Sequence, residues 1–299
     1  MPGFGSRREA DYSRIEYRTA LKTLRYLSAM TAAIKTFWWR QLKLTGLRPN
    51  FGDELTPGLV KSLFGRKCAW RRPKGSEFTG AGSTLEMVQL MNAPKTLKIW
   101  GSGFGVREGT TERNFSNPGY DIYAVRGQLT LGRVDQDRDI AVGDPGLLAS
   151  RVYPPSQQVP GRVGLVYHWM HKSDTVVQTL AREGNIMLID PSRKPSKVVA
   201  DITSCEFVMS TSLHGLIVAD SYGIPNAWIE LTQEIGGKGY KFEDYYSAFD
   251  GKAVQHSSDL AWDAEHIEAL RTEYRPIPNL AEIQDNLVAA FPYAAVDVR

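Results

Sequence analysis

The sequence predicts an α/β protein built as two domains with a cleft between them. Three observations carry this. At 299 residues and 42% hydrophobic, the chain is long enough for two separate cores. Short runs that are apolar throughout alternate with amphipathic stretches, as strands buried on both faces and their crossover helices should. The stretch Y-P-P-S-Q-Q-V-P at 153–160 divides this alternation, because it can join neither a sheet ladder nor a helix interior.

From the start of the chain, apolar residues recur at helical spacing between Tyr17 and Ile34 (Tyr17, Leu21, Leu24, Leu27, Ile34), with Arg14, Arg18, Lys22 and Arg25 on the other side. Residues 1–36 therefore form an expected basic amphipathic helical extension. Its basic face either meets solvent while the helix packs on the body, or rests residues 7–35 on an anionic membrane surface. An N-terminal α/β domain is expected over 37–157 and a C-terminal one over 158–299. The runs T-L-K-I-W (96–100), D-I-A-V-G (139–143), V-G-L-V-Y (163–167), N-I-M-L-I-D (185–190), E-F-V-M-S (206–210) and A-W-I-E-L (227–231) are the strands. Helices are expected at 55–64, 84–91, 127–132, 173–183, 196–204, 213–222 and 263–274. Such alternation implies parallel sheets with right-handed crossovers.

Composition narrows the function. The net charge of +3 is concentrated early: Arg7, Arg8, Arg14, Arg18, Lys22, Arg25, Lys35, Arg40, Lys43 and Arg48 face only Glu9, Asp11 and Glu16. The remainder is net acidic, so no nucleic-acid partner is expected. Cys68 and Cys205 lie far apart without metal-ligand spacing and read as reduced thiols. His168 and His171 have i, i+3 spacing but no third ligand, and D-Q-D at 135–137 sits among Arg133, Arg138 and Asp139; no metal site is expected. The first residues lack the apolar core of a secretory signal, and no apolar run approaches the ~20 residues of a membrane span. A cytoplasmic protein is the expectation.

Ligands in open α/β sheets bind beyond the carboxyl ends of the strands, so candidate residues are sought there. In N-F-G-D-E-L (50–55), Gly52 permits a close approach, while Asn50 or Asp53 either caps the next helix or faces the cleft. The turns T-G-A-G-S (79–83) and W-G-S-G-F-G (100–105) contain Gly82, Ser83, Gly101, Ser102 and Gly103. They offer backbone N–H groups to a phosphate or sugar, or are simply turns. In A-V-R-G-Q-L-T (124–130), Arg126 presents a planar fork to a carboxylate or phosphate, or makes a structural salt bridge. His168 directly follows a strand and can face the cleft. In V-M-S-T-S-L-H-G (208–215) a buried strand ends in hydroxyls and a helix opens: Ser210, Ser212, Leu213 and Gly215 surround first-turn N–H groups that attract an anion. The helix dipole disfavours a cationic His214 there. Either an anion site or a neutral ring bonded to a carbonyl accounts for it, and the anion site is the better fit.

In this order, N-F-G-D-E-L, G-A-G-S, W-G-S-G, A-V-R-G-Q-L-T, G-D-P-G-L-L (143–148), a histidine after the next strand, S-L-H-G-L-I-V-A-D-S-Y-G-I-P and K-F-E-D-Y-Y (241–246) resemble the polysaccharide pyruvyl transferase family. Within it the chain is most similar to the bacterial exopolysaccharide ketal-pyruvyl transferases, from about Phe37 to about Phe249. The resemblance implies two Rossmann-like domains facing across a cleft, as in GT-B glycosyltransferases. It also implies transfer of a pyruvyl group from phosphoenolpyruvate to two hydroxyls of one sugar, leaving a cyclic ketal and phosphate. Many members carry an arginine where Ser212 stands, so one cationic contact to the donor is either missing or supplied elsewhere, with Lys241 the candidate.

On that resemblance His214 holds the donor phosphate and acts as general acid, Arg126 neutralises the donor, and Asp53 accepts the acceptor-hydroxyl proton. No cofactor beyond the donor substrate is implied. The acceptor is an oligosaccharide or lipid-linked glycan; a lipid-linked one would put the basic extension at the inner face of the cell membrane. Two other classes share the scaffold: a GT-B-type glycosyltransferase using a sugar nucleotide, and a non-catalytic glycan- or phosphometabolite-binding protein.

Overall fold

The computed structural model describes residues 32–43, 46–109, 119–134, 138–183, 186–230, 237, 239–250, 256–257 and 264–293. Residues 1–31 of the expected basic extension and the D-Q-D tripeptide lie outside them. Ile34, expected to end a helix, instead opens strand β1 (Ile34–Phe37), which buries Ile34, Thr36 and Phe37 and exposes Lys35. The β-branched pair and the aromatic ring suit a buried strand better than a helix end.

A hairpin of β2 (Gln41–Lys43) and β3 (Gly46–Arg48) follows. The first large sheet has the order β4 (Cys68–Trp70), β1, β5 (Phe78–Thr79), β6 (Lys98–Ser102), β7 (Asp121–Val125), β8 (Ala141–Val142). The second has the order β10 (Ile186–Ile189), β9 (Val163–Val166), β11 (Phe207–Ser210), β12 (Asn226–Ile229), β13 (His256–Ser257). Every pairing in both is parallel. This is an α/β protein with two parallel sheets, consistent with two Rossmann-like units. The helices are α1 (Leu55–Phe64), α2 (Leu85–Leu90), α3 (Gln128–Leu131), α4 (Ala149–Val152), α5 (Thr175–Glu183), α6 (Pro195–Thr203), α7 (Leu213–Ser221), α8 (Tyr240–Tyr246), α9 (Ala264–Glu273) and α10 (Leu280–Ala289).

Helix α7 is apolar nearly all round and buries all of its residues, so it must be covered on every side. One cover comes from the first half: Ser221 Oγ donates to the Leu147 carbonyl at 2.9 Å, and Leu55, Leu147 and Ile217 belong to one core. Another comes from α8, whose Tyr245 hydroxyl donates to the buried Asp220 at 2.9 Å, as does that of Tyr274. The strand ends that position the site are therefore anchored on a continuous interior.

The stretch 153–160 forms neither helix nor strand and is tied to the second half, with Ser156 N donating to Thr203 Oγ1 at 2.9 Å. The last helix returns to the first sheet. Trp100 Nε1 donates to the Leu287 carbonyl at 2.8 Å, and Phe291 stacks on Phe64 with ring centroids 3.8 Å apart. Burial of each such ring contributes about 1.5–3 kcal/mol. Part of the segment 158–299 thus packs with the N-terminal strands. Cys68 and Cys205 are free thiols. Among the described residues no helix is long and apolar enough to cross a membrane.

Candidate active site

The carboxyl ends of both sheets open on one cavity of about 420 Å³. Asn50, Asp53 and Ser83 reach it from the first half, and His168, Ser212, Leu213, His214 and Lys241 from the second. Trp39, Met87, Trp169 and Met170 supply its apolar wall.

The loop before α1 crosses to the second half, where Phe51 N donates to the Pro191 carbonyl at 2.8 Å. A methyl group on Gly52 would collide with the His214 ring, so only glycine lets this loop lie against it. Neither Asn50 nor Asp53 caps α1, which has no side-chain cap. Asn50 Nδ2 donates instead to Asp53 Oδ2 at 2.8 Å. Burial, reinforced by the neighbouring Asp144, pushes the Asp53 carboxyl up to about 8, although Lys241 opposes this. At neutral pH Asp53 keeps its proton.

Burial, followed by the charges of Arg126 and Lys241, lowers His214 to about 3, so its ring is neutral. Its Nε2 has no hydrogen-bond partner and lies 3.9 Å from Asp144 Oδ2, which also has none. The other Asp144 oxygen accepts from Gly146 N at 2.8 Å, and burial raises this carboxyl to about 6. Lys241 is lowered to about 8 by burial and then by Arg126. His168 is lowered to about 3 by burial, then Lys241 and His171; its backbone N donates to Thr211 Oγ1 at 2.6 Å. A retained acid proton, two neutral imidazoles and an ammonium share one hollow. Such displaced protonation equilibria are the mark of a chemical site.

Arg126 was expected to present its fork to a ligand, but it is not on the cavity wall. It is fully buried: Nε donates to Asp244 Oδ2 at 2.8 Å, Nη1 to Ser83 Oγ at 2.6 Å, and Nη2 to the Phe104 carbonyl. Asp244 also accepts from Thr130 N and Oγ1, at 2.7 and 2.8 Å. Glycine is needed at 103 and 127 because a Cβ would strike the Arg126 guanidinium and the Asp244 backbone. Arg126 influences the cavity through Ser83 and through its charge.

Gly52, Gly82, Gly101, Ser102, Gly103, Ser210 and Gly215 are not on the cavity wall. Ser102 Oγ donates to the Gly82 carbonyl at 2.7 Å, and Ser210 Oγ sits 2.9 Å from the Val166 carbonyl and 3.0 Å from Ser212 N. Gly82 adopts φ +107°, a conformation that favours glycine. Asp144, Asp244, Trp39 and Trp169 are the residues that sequence reasoning left out. For Asp144 a signal existed, since G-D-P-G follows the strand at 139–143 and the strand-end rule applies there as elsewhere. Among the described residues no cluster of three or more His, Cys, Asp or Glu side chains is placed to hold a metal ion.

With this geometry in view, the family comparison is direct: residues 90–232 match the polysaccharide pyruvyl transferase family model. That match covers just under half of the chain. The matched span contains Arg126, Asp144, His168, Ser212 and His214, whereas Asn50, Asp53, Ser83 and Lys241 come from the flanking chain. The chain is 26% identical over 216 residues to the succinoglycan biosynthesis protein ExoV of Rhizobium meliloti (strain 1021), covering 71% of this chain and 64% of that protein. It is 29% identical over 139 residues to an uncharacterized protein of Acanthamoeba polyphaga mimivirus, covering 43% of this chain and 48% of the relative. Both matches span less than two thirds of the relative's length. A solved structure, a functional uncharacterized protein KP1_0663 from Klebsiella pneumoniae, aligns at TM-score 0.40 and 11% identity over 80% of this chain and 98% of that one.

Proposed function

We propose that the protein transfers a pyruvyl group from phosphoenolpyruvate to two hydroxyls of one sugar in an exopolysaccharide unit, forming a cyclic ketal and releasing phosphate. The observation that carries this reading is the convergence of Asp53, His214 and Lys241 on one cavity, together with the match to the polysaccharide pyruvyl transferase family. The relative's role in succinoglycan biosynthesis supports a polysaccharide acceptor. The two parallel sheets meeting at one cavity support a GT-B-like arrangement.

The donor is small and carries a carboxylate and a phosphate. Lys241 and the N–H groups opening α7 supply a positive pole for it. An ammonium about 4 Å from a donor oxygen contributes roughly 4 kcal/mol at an effective dielectric near 20. Bound donor favours the charged form of Lys241, offsetting its lowered pKa. With Ser212 in place of an arginine, Lys241 is the cation on the wall.

The protonation states favour a division of labour opposite to that expected from sequence. Asp53, protonated at neutral pH, delivers a proton to the methylene carbon of the donor, leaving C2 oxocarbenium-like. A sugar hydroxyl attacks C2 and passes its proton to neutral His214. Phosphate departs, a second hydroxyl attacks the same carbon, and the ring closes. Of the two hydroxyl protons, one balances the new methyl group and the other leaves with phosphate. Each well-placed proton transfer contributes about 10²–10⁴-fold in rate.

A lipid-linked acceptor, with residues 7–35 on the membrane face, completes the proposal. The test is to incubate the protein with phosphoenolpyruvate and candidate oligosaccharides, following product mass and free phosphate. A pyruvyl increment with equimolar phosphate is expected. Turnover of a sugar nucleotide instead, or donor binding without phosphate release, would replace this reading with one of its rivals.

A further inference from the structure

The cavity has a polar floor and an aromatic mouth. Asp53, Ser212, His214 and Lys241 form the floor, where the donor is proposed to lie. Trp39, just after β1, and Trp169, just after β9, approach the mouth from opposite halves, and both are partly exposed. Met170 beside them is 49% exposed. Both indoles stay partly exposed at the rim of a charged pocket, Trp39 while also packing on the core of the first half.

The same two indoles, with Asn50, also wall a smaller hollow of about 30 Å³. Its far side holds Tyr167, Lys172 and Asp190. Asp190 accepts from Ser192 Oγ at 2.7 Å and pairs with Lys172 at 3.4 Å. The hollow is therefore polar but balanced in charge, and it has room for a group the size of one hydroxyl. A molecule resting on the indoles touches both compartments at once.

We propose that Trp39 and Trp169 form the acceptor subsite and take a neutral pyranose by the apolar face of its ring, with one ring substituent entering the hollow at Lys172 and Asp190. The inference rests on the pyruvyl-transfer reading only in calling this sugar the acceptor. A pyranose has a face of C–H groups that packs on an indole, and hydroxyls at its edge for polar partners. The neutral rim matches an uncharged sugar. A nucleotide would bring a diphosphate to a mouth whose lysine, Lys172, is already held by Asp190.

Saturation-transfer NMR tests this on the full chain, with the methyl glycopyranosides of glucose, galactose and mannose as probes. Sorbitol and uridine diphosphate serve as open-chain and nucleotide controls. Wild type should transfer saturation to the ring C–H protons of at least one pyranoside and not to sorbitol. Trp39→Ala and Trp169→Ala should each cut that signal about threefold or more, because the stacked face is lost. Trp39→Phe and Trp169→Phe keep a smaller ring and should fall in between, so the test survives if an alanine variant misfolds. No pyranoside signal, an undiminished signal in the variants, or a stronger response to uridine diphosphate overturns the subsite. Phosphate release from phosphoenolpyruvate with a glycan acceptor, measured on the same samples, separates the two ideas. Pyranoside binding at the indoles without phosphate release leaves the subsite standing and removes the transfer reading. Pyruvyl transfer with acceptor KM unchanged in the alanine variants removes the subsite alone.

Discussion

Asp144 Oδ2 and His214 Nε2 lie 3.9 Å apart, both buried and neither with a hydrogen-bond partner. Leaving a buried polar atom unpaired costs about 1–3 kcal/mol. The cost falls if His214 gains a proton, since an imidazolium then faces a carboxylate. In the proposed mechanism, Asp144 would stabilise His214 once it accepts the acceptor-hydroxyl proton. Asp144→Asn should lower kcat about tenfold or more while barely affecting folding. The pH profile separates this from a packing defect. Asp144, at about 6, must be ionised to help, so wild-type kcat should fall as pH drops below about 6. In the asparagine variant that acid limb should vanish at a lower plateau; its persistence would assign the limb to another group.

Asp53 sets the opposite limb. Its carboxyl is raised from 3.8 to about 8, so above pH 8 it no longer carries the proton that the proposed mechanism gives to the donor, and Lys241 begins to lose its charge in the same range. Activity should fall as pH rises through about 8. Asp53→Asn should lower kcat by about 10²–10⁴-fold at pH 7. Linkage fixes the stability change: a folded-state pKa above the unfolded value means stability is fully present below pH 3.8 and is lost as pH rises through about 8. Asp53→Asn lacks that loss. Its Tm relative to wild type should therefore be higher at pH 9 than at pH 5, and a constant offset would show that Asp53 ionises normally.

Arg126 follows a different logic from the residues on the cavity wall. It and Asp244 are completely buried, and each satisfies the other. Removing one partner of such a pair costs about 3–5 kcal/mol, because the remaining charge is stranded. Arg126→Ala should therefore unfold at markedly lower denaturant concentration. Any loss of donor affinity should be reproduced by Asp244→Ala, which leaves the guanidinium in place. A stable Arg126→Ala protein with a raised donor KM alone would put the arginine in contact with substrate.

The elements with a strong period were legible: α1 falls on 55–64 as expected, and β11 and α7 meet at the seam carrying Ser210 to His214. Short strands such as β4 and β5 were not, because two or three residues carry no period. Helix α10 was missed although it closes the first sheet; nothing local in its sequence says which sheet it will cover. At the site, residue types at strand ends led to Asp53, His168 and His214, and the family resemblance led to Lys241. What could not be read was pairing over long separations, such as Arg126 with Asp244, which decides whether a guanidinium faces a ligand or a carboxylate. Protonation was equally hidden, since it depends on burial.

Gly52 offers a test of whether the His214 ring must stand where it does. Its backbone is not in the left-handed region, so alanine is tolerated by the main chain there, yet the added methyl group would overlap the ring. In a packed site such overlap costs about 1–3 kcal/mol and forces the ring aside. Gly52→Ala should accordingly lower both Tm and kcat. The Cβ of His214 also lies only 2.5 Å from the added methyl group, so room is made only by removing the whole side chain: Gly52→Ala/His214→Gly should recover Tm relative to Gly52→Ala while staying as inactive as His214→Gly. Additive losses of Tm in the double variant would mean that the loop and the ring do not press on one another, and the contact between the two halves at this point would have to be redrawn.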